Sequence, residues 1–432
     1  MAAPPMGSVA VIGGGWAGLA CALKLAQAGY APVVFESAPE PGGRARRAFV
    51  EGIDRDNGQH LMLGGCQSWH ALFKAAGIQL NAAPFQFQSG TRQLMVPAKP
   101  GRMGLAIALL RAHGFSWYER YRLVCALGRL QANGWRVAQK QTVADWLQQT
   151  KQPARLINDF WAPLALAILN TPLHQAAMCR LAPVLRDTLG QGGKALTLLQ
   201  PQSNLSETIV NPVVFAIKNA GGSIRSGERV IGVEPTASGY QLMLNDSSLE
   251  FDQVVLAIPP WALNHLTLPT ALNSSNWAAL FGSQPIATVY LGFEAGFRLP
   301  APLLQIAGPM PDDSRVWAMD RSHCGEPGVV AISLSADGPW HTLSGDALTQ
   351  ACYKALQQAV ENLPPCLWQR TITVQRATYA ATPQAFLSSA DLMPLPCLHL
   401  AGDWTHINYP ATLEAAVSSG FAAADRIMQS ET

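Results

Sequence analysis

Three features of the chain predict an α/β protein whose Rossmann-like nucleotide domain is interrupted by an inserted α+β domain. The first is local. "SVAVI" (8 to 12) reads as a buried strand, "GGGWAG" follows at once, and "LACALKLAQAG" places Leu19, Leu23 and Ala26 at helical spacing. The second is distant: "FDQVVLAIPP" (251 to 260) reads as another buried strand stopped by a proline pair, and "LHLAGDW" (398 to 404) as a third. The third is size, since 432 residues with 49% apolar content can bury more than one core.

Each part of the opening unit has a physical purpose. Gly13, Gly15 and Gly18 fit G-x-G-x-x-G. The first glycine permits the tight turn, the second lets backbone approach a pyrophosphate, and the third lets helix pack on strand. The helix opening at Gly15, Trp16 and Ala17 offers free N–H groups and a positive dipole end to phosphate. Gly29 ends that helix, and "APVVFE" (31 to 36) is the second strand, with Pro32 at its tolerated first position. Glu36 closes it, eighteen positions after Gly18, where a carboxylate accepts from adenosine ribose hydroxyls and repels a 2′-phosphate. The nucleotide is therefore NAD or FAD.

"APEPGGRARR" (38 to 47) favours FAD, because a second glycine pair followed by arginine resembles the flavin amine oxidase and phytoene desaturase superfamily. There Gly42 and Gly43 allow close backbone approach and Arg44 offsets pyrophosphate charge. Arg46 and Arg47 read better as a solvated basic surface. The next block, "IDRDNGQHLMLGG" (53 to 65), resembles the hydroxysqualene dehydroxylase family, also called squalene-associated FAD-dependent desaturases. So do "LAILNTPLHQAAMCRLAPVLRDTLG" (166 to 190) with Asn170, Thr171 and Pro172, "QRATYAATP" (375 to 383), and "LHLAGDWTHINYPATLEAAVSSGFAAADRI" (398 to 427).

This resemblance implies a fold of the glutathione-reductase/amine-oxidase type and non-covalent FAD, since no cysteine follows Cys397 to make a cysteinyl link. It implies that "DNGQH" runs beneath the flavin, with Gly58, Gln59 and His60 contacting it. It also implies a backbone contact from Val230 to adenine, Gly402 and Asp403 on the ribityl or pyrophosphate side, and a helix start at Ala411, Thr412 and Leu413 aimed at the flavin pyrimidine edge. The catalytic candidates are His60 as acid, with Asp56 and Gln59 as orienting or flavin-binding groups. His406 and Asn408 depart from the pattern and receive no role. The implied reaction is reductive removal of the hydroxyl from hydroxysqualene to give squalene. The enzymes that make presqualene diphosphate and hydroxysqualene would be its functional neighbours. Three alternatives stay open: a carotenoid-type polyene desaturase, a flavin amine oxidase, and a prenyl-lipid carrier that uses no flavin.

The domains are expected as 1–95, 205–265 and 395–432 for FAD, with 96–204 and 266–394 forming the substrate domain. "AGGSIRSGERVIGVE" (220 to 234) and "YQLMLND" (240 to 246) are read as two strands of an antiparallel meander.

Composition narrows the partners. Charged residues are 13% of the chain, against about 25% in ordinary soluble proteins, and the net charge of +2 excludes nucleic acid as a natural partner. So little charge suits a long apolar isoprenoid substrate. The eight cysteines never lie closer than fourteen positions and show no metal or CxxC spacing, so no metal is expected. The N-terminus lacks a basic n-region and cleavage motif, which points to the cytoplasm. "FWAPLALAIL" (160 to 169) is shorter than the ~20 residues a bilayer span needs. Peripheral contact with the inner face of the cytoplasmic membrane fits residues 101 to 130, where apolar helix faces carry Arg102, Arg111, Arg120, Arg122, Arg129, Trp117 and Tyr118. An internal helical pair is the equal alternative.

Overall fold

A computed structural model describes residues 7–97, 103–273, 276–311 and 314–430, apart from the side chains of 103, 271 and 273. Arg102 and part of the crossing expected at 96 to 104 lie outside the described residues. The opening strand Val9–Ile12 is apolar at every position because both its faces are covered: Val9 and Val11 join one core, Ala10 and Ile12 another. It sits at the centre of a five-stranded parallel sheet in the order Ser223–Ser226, Val33–Glu36, Val9–Ile12, Gln253–Leu256, Leu398–Leu400. Three separate stretches of chain thus build one sheet. The helix Trp16–Gln27 packs on it beside the last helix, Leu413–Ser430. These two helices approach closely because Gly420 has no side chain; a Cβ there would lie 2.1 Å from the Ala17 carbonyl oxygen.

Two expected assignments need correction. Ser223–Ser226 does not join the meander, which consists of Gly232–Pro235, Tyr240–Met243 and Ser248–Phe251. It pairs in parallel with Val33–Glu36, because the helix Asn211–Asn219 acts as a crossover and returns the chain in the same direction. The hairpin Phe85–Ser89 and Arg92–Val96 leaves the nucleotide domain to which a boundary at 95 assigns most of it. Its alternating apolar positions place Phe87 and Leu94 in the larger core.

That hairpin forms one edge of a seven-stranded sheet, followed in order by Leu303–Ile306, Val316–Asp320, Val329–Ser335, Gln284–Gly292 and Trp368–Thr378. All neighbours are antiparallel except Phe85–Ser89 with Leu303–Ile306. One face holds a core that includes Leu348, Cys352 and Leu356 of the helix Gly345–Ala359. The other face turns Ile286, Leu303, Trp317 and Ser333 toward a large cavity. No helix among the described residues is long and apolar enough to cross a membrane.

Candidate active site

The cavity, about 660 Å³, runs from the glycine turn of the parallel sheet to the seven-stranded sheet. At the nucleotide end it is lined by Gly13, Gly15, Trp16, Ala17, Glu36, Gly43 and Arg44, with Val230, Gly402, Asp403, Ala411, Thr412 and Leu413 brought in from later in the chain. Gly15 is the N-cap of the first helix and places no side chain over the free N–H groups. Gly13 has φ +107°, and a Cβ there would meet the Ala257 carbonyl oxygen at 2.5 Å. Gly43 comes so near that its Cβ would lie 3.0 Å from Gly15 Cα. Glu36 accepts hydrogen bonds from Gly14 N and Ala38 N, both at 2.8 Å, which fixes its carboxylate at the strand end.

Gly18 does not line the cavity. Its role is packing, since a Cβ would stand 2.0 Å from the Gly13 carbonyl oxygen. Gly18→Ala is therefore expected to cost about 3 kcal/mol, the upper end for over-packing, and to lower the flavin content of purified protein. Denaturant unfolding and the 450 nm-region absorbance check both; a variant with full flavin and stability would refute the packing role.

Arg44 and Asp403 were expected as separate cofactor contacts, and the structure joins them: Arg44 Nη2 donates to Asp403 Oδ1 at 2.6 Å. Arg44 Nη1 also donates to Ala377 O at 2.9 Å. Both residues still face the cavity.

"DNGQH" divides into two layers. Asn57, Gly58, Gln59 and His60 line the cavity, whereas Asp56 lies behind it and is buried. Asp56 is thus an orienting group with no access to the cavity. Its Oδ1 accepts from Leu205 N at 2.7 Å, its Oδ2 from Arg321 Nη2 at 3.1 Å, and its carbonyl oxygen from Tyr290 Oη at 2.6 Å. Gln59 is held from both sides of its amide: Nε2 donates to Tyr290 Oη at 2.9 Å, and Oε1 accepts from Arg321 Nη1 at 3.0 Å. Arg321 reaches Glu326 as well, which in turn pairs with Arg55. No sequence signal marks Arg321 or Tyr290, which stand 265 and 234 positions from Asp56.

The polar atoms left over test whether a flavin fits. Asn57 Nδ2 donates to Arg44 O at 2.8 Å, but Asn57 Oδ1 and His60 Nε2 are shut off from solvent without a hydrogen-bond partner. Buried polar groups are normally paired. Asn57 Oδ1, left over on a turn that lines the cavity beside a glycine cradle and a helix start, fits a ring system with a polar edge. Burial, reinforced by Arg321 and opposed by Asp56, pulls the His60 pKa below the ordinary histidine range.

The later blocks converge on the same region. Asn170, in a left-handed conformation at the end of the helix Ala162–Leu169, donates to Thr378 Oγ1 at 2.8 Å and accepts from Ala336 N. Thr171 Oγ1 accepts from Ala381 N at 2.9 Å. Arg180, fully buried, donates to the carbonyl oxygens of Ala385, His406 and Tyr409. Tyr409 Oη donates to Asp187. These bonds hold the loop that delivers Ala411 and Thr412 to the cavity. His406 is structural here, its Nδ1 accepting from Asn408 N and Tyr409 N.

Comparison with known proteins agrees with this geometry. The pattern of the family described as flavin containing amine oxidoreductase matches residues 16–428. The hydroxysqualene dehydroxylase of Rhodopseudomonas palustris is 29% identical, covering 98% of each chain. That of Zymomonas mobilis is 26% identical over 96% of this chain and 97% of its own. Cyclohexylamine oxidase from Brevibacterium oxydans superposes with a TM-score of 0.74 at 16% identity, covering 99% of each chain. With the glycine cradle, Glu36 and the convergent second helix in place, the chain belongs to the flavin containing amine oxidoreductase family and is an FAD-dependent oxidoreductase of the amine oxidase and phytoene desaturase superfamily.

Proposed function

We propose that the protein removes the hydroxyl group of hydroxysqualene reductively, giving squalene. The observation that carries this reading is the division of the cavity. Every Asp, Glu, Lys or Arg among its described lining residues belongs to the nucleotide end, while the far wall is built from Phe85, Leu164, Ile168, Leu303, Trp317 and Met319. A long neutral hydrocarbon suits that wall. Asn170, Ser333, Ser335 and Thr378 line the cavity as well, but no carboxylate stands among them to pair a substrate ammonium, which counts against the amine oxidase alternative. The relatives named hydroxysqualene dehydroxylase support the same substrate.

Reduced flavin, when bound, supplies the hydride. Overall the C–O bond breaks, the oxygen takes up one proton drawn from the solvent and leaves as water, and the hydride completes a new C–H bond. The apolar wall excludes bulk water from the allylic carbon while it carries positive charge. Gly13, Gly15, Glu36, Gly43 and the turn Asn57 to Gln59 would hold the cofactor. The lowered pKa of His60 keeps it neutral at pH 7, which points away from the expected role as acid and toward a hydrogen-bond partner. The test is anaerobic: dithionite-reduced protein is mixed with hydroxysqualene, flavin reoxidation is followed, and hydrocarbon is extracted. Stoichiometric squalene is the expected result. Flavin that stays reduced would sink the reading.

The same reading includes docking at the inner face of the cytoplasmic membrane, where the enzymes making presqualene diphosphate and hydroxysqualene would deliver the substrate. Its support is the helix pair Met103–Arg111 and Trp117–Ala132, where Leu110, Trp117, Tyr118, Tyr121 and Val124 are all exposed. From 103 to 140 there are six Lys or Arg and one acid, Glu119, which is buried against Arg92. The fit is to anionic lipid. Co-sedimentation with phosphatidylglycerol vesicles, weakened by Trp117→Ser with Tyr121→Ser, is expected; equal recovery with neutral vesicles would count against it.

A further inference from the structure

Two unpartnered polar atoms lie at the edge of the cavity, His60 Nε2 on a lining residue and Thr288 Oγ1 just behind the lining. Thr288 lies in the strand Gln284–Gly292, in register with Ser333 and two residues from Ile286, both of which line the cavity. Period-two alternation therefore turns its side chain to the cavity face. It is 1% exposed, and its Oγ1 has no hydrogen-bond partner. His60 Nε2, on the opposing turn, is likewise buried and unpaired. Gly58 shows that the two atoms border the same volume. A Cβ built there would stand 3.7 Å from His60 Nε2 and 3.9 Å from Thr288 Oγ1, with no other heavy atom outside residues 57 to 59 within 4 Å.

We propose that Thr288 and His60 form a seat for a single oxygen atom, and that its occupant is the hydroxyl group of the alcohol substrate. This rests on the proposed function above. The chemistry of the pair matches an alcohol: a threonine hydroxyl can donate to the incoming oxygen, and an imidazole nitrogen bearing a lone pair can accept the alcohol's proton in a hydrogen bond. A neutral His60 retains that lone pair at pH 7. Within the apolar wall, the seat is what tells the alcohol from its hydrocarbon product, because a site built to pair a hydroxyl rejects the analogue that lacks one. Release of the product then follows from losing both hydrogen bonds. Thr288 is a binding and specificity residue in this scheme and transfers no proton.

The test uses oxidised holoenzyme, which has no hydride to give, so that binding is read without turnover. Hydroxysqualene and squalene are titrated separately and the perturbation of the flavin absorbance is followed. Wild type is expected to bind the alcohol at least tenfold more tightly than the hydrocarbon. Thr288→Val should bring the two affinities together while leaving flavin content intact, and Thr288→Ser should keep most of the preference. Because the hydroxyl has no partner within the protein, Thr288→Val is also expected to match or exceed the wild-type melting temperature. A preference that survives in Thr288→Val overturns the seat, and so does clear destabilisation of that variant, which would assign the hydroxyl a structural bond. Equal affinities in wild type overturn the seat while leaving the hydrocarbon-binding function standing. Wild-type holoenzyme that binds neither compound overturns the proposed function and the seat with it.

Discussion

Arg321→Met is expected to destabilise the protein by about 3–5 kcal/mol, the range for removing one member of a buried ion pair, and to release most of its flavin. The reason lies in how many groups depend on one guanidinium. Arg321 is 5% exposed and donates to Gln59, Asp56 and Glu326. Without it, Asp56 keeps the bond from Leu205 N but lies in the interior with its charge uncompensated. Glu326 fares better because Arg55 remains 2.9 Å away. Methionine fills much of the vacated volume, so the loss is electrostatic more than a cavity effect. The functional consequence follows through Gln59, which loses one of its two fixed contacts and with it the position of the turn on the cavity wall. Denaturant unfolding with a flavin assay on the same preparation measures both effects. A variant within about 1 kcal/mol of wild type that retains its flavin would show that this network does not hold the turn.

What could be read from the sequence and what could not divide along sequence distance. The turn at Gly13 to Gly18 and the acid at Glu36 were legible because strand, glycine and helix signals act within one short unit. The position of "DNGQH" on the cavity followed from resemblance, and the cavity contains four of its five residues. Asp56 stayed between an orienting and a flavin-binding role because nothing local tells a carboxylate that faces a ligand from one that anchors the turn from behind. That distinction depends on Arg321 and Tyr290, brought in by a sheet formed much later in the chain. Ser223–Ser226 failed for a related reason: its short polar sequence looks like an edge strand, and only the preceding crossover helix gives it a parallel partner. Thr288 carries no sequence signal whatever, being one β-branched residue among several in an ordinary strand.

Acid should weaken the fold well above the range where carboxylates titrate, and His399 is the group to test. It lies in the central sheet on Leu398–Leu400, wholly buried, with Nε2 paired to Gln253 Oε1 at 3.1 Å and Nδ1 unpaired. Burial first, and Arg426 second, push its pKa down to about 4. In the unfolded chain it returns to roughly 6.5. Below that value the unfolded state binds the extra proton and the folded state does not, so stability present at neutral pH is lost as pH falls toward 4. The single-site contribution is about 3 kcal/mol at one proton and two to three pH units. His406, also held at about 4 by burial and Arg180, and the lowered His60 act in the same direction. Glu414 opposes them: burial raises its pKa, so the folded state gains there as pH falls through the carboxylate range. Subtracting a variant isolates one group from these. His399→Leu gives up the bond to Gln253 and starts from lower stability, yet its unfolding free energy should fall about 3 kcal/mol less than wild type between pH 7 and pH 4. Parallel pH curves for the two proteins would mean that His399 titrates normally in the folded chain, and that the interior of the parallel sheet admits a charge beside Arg426.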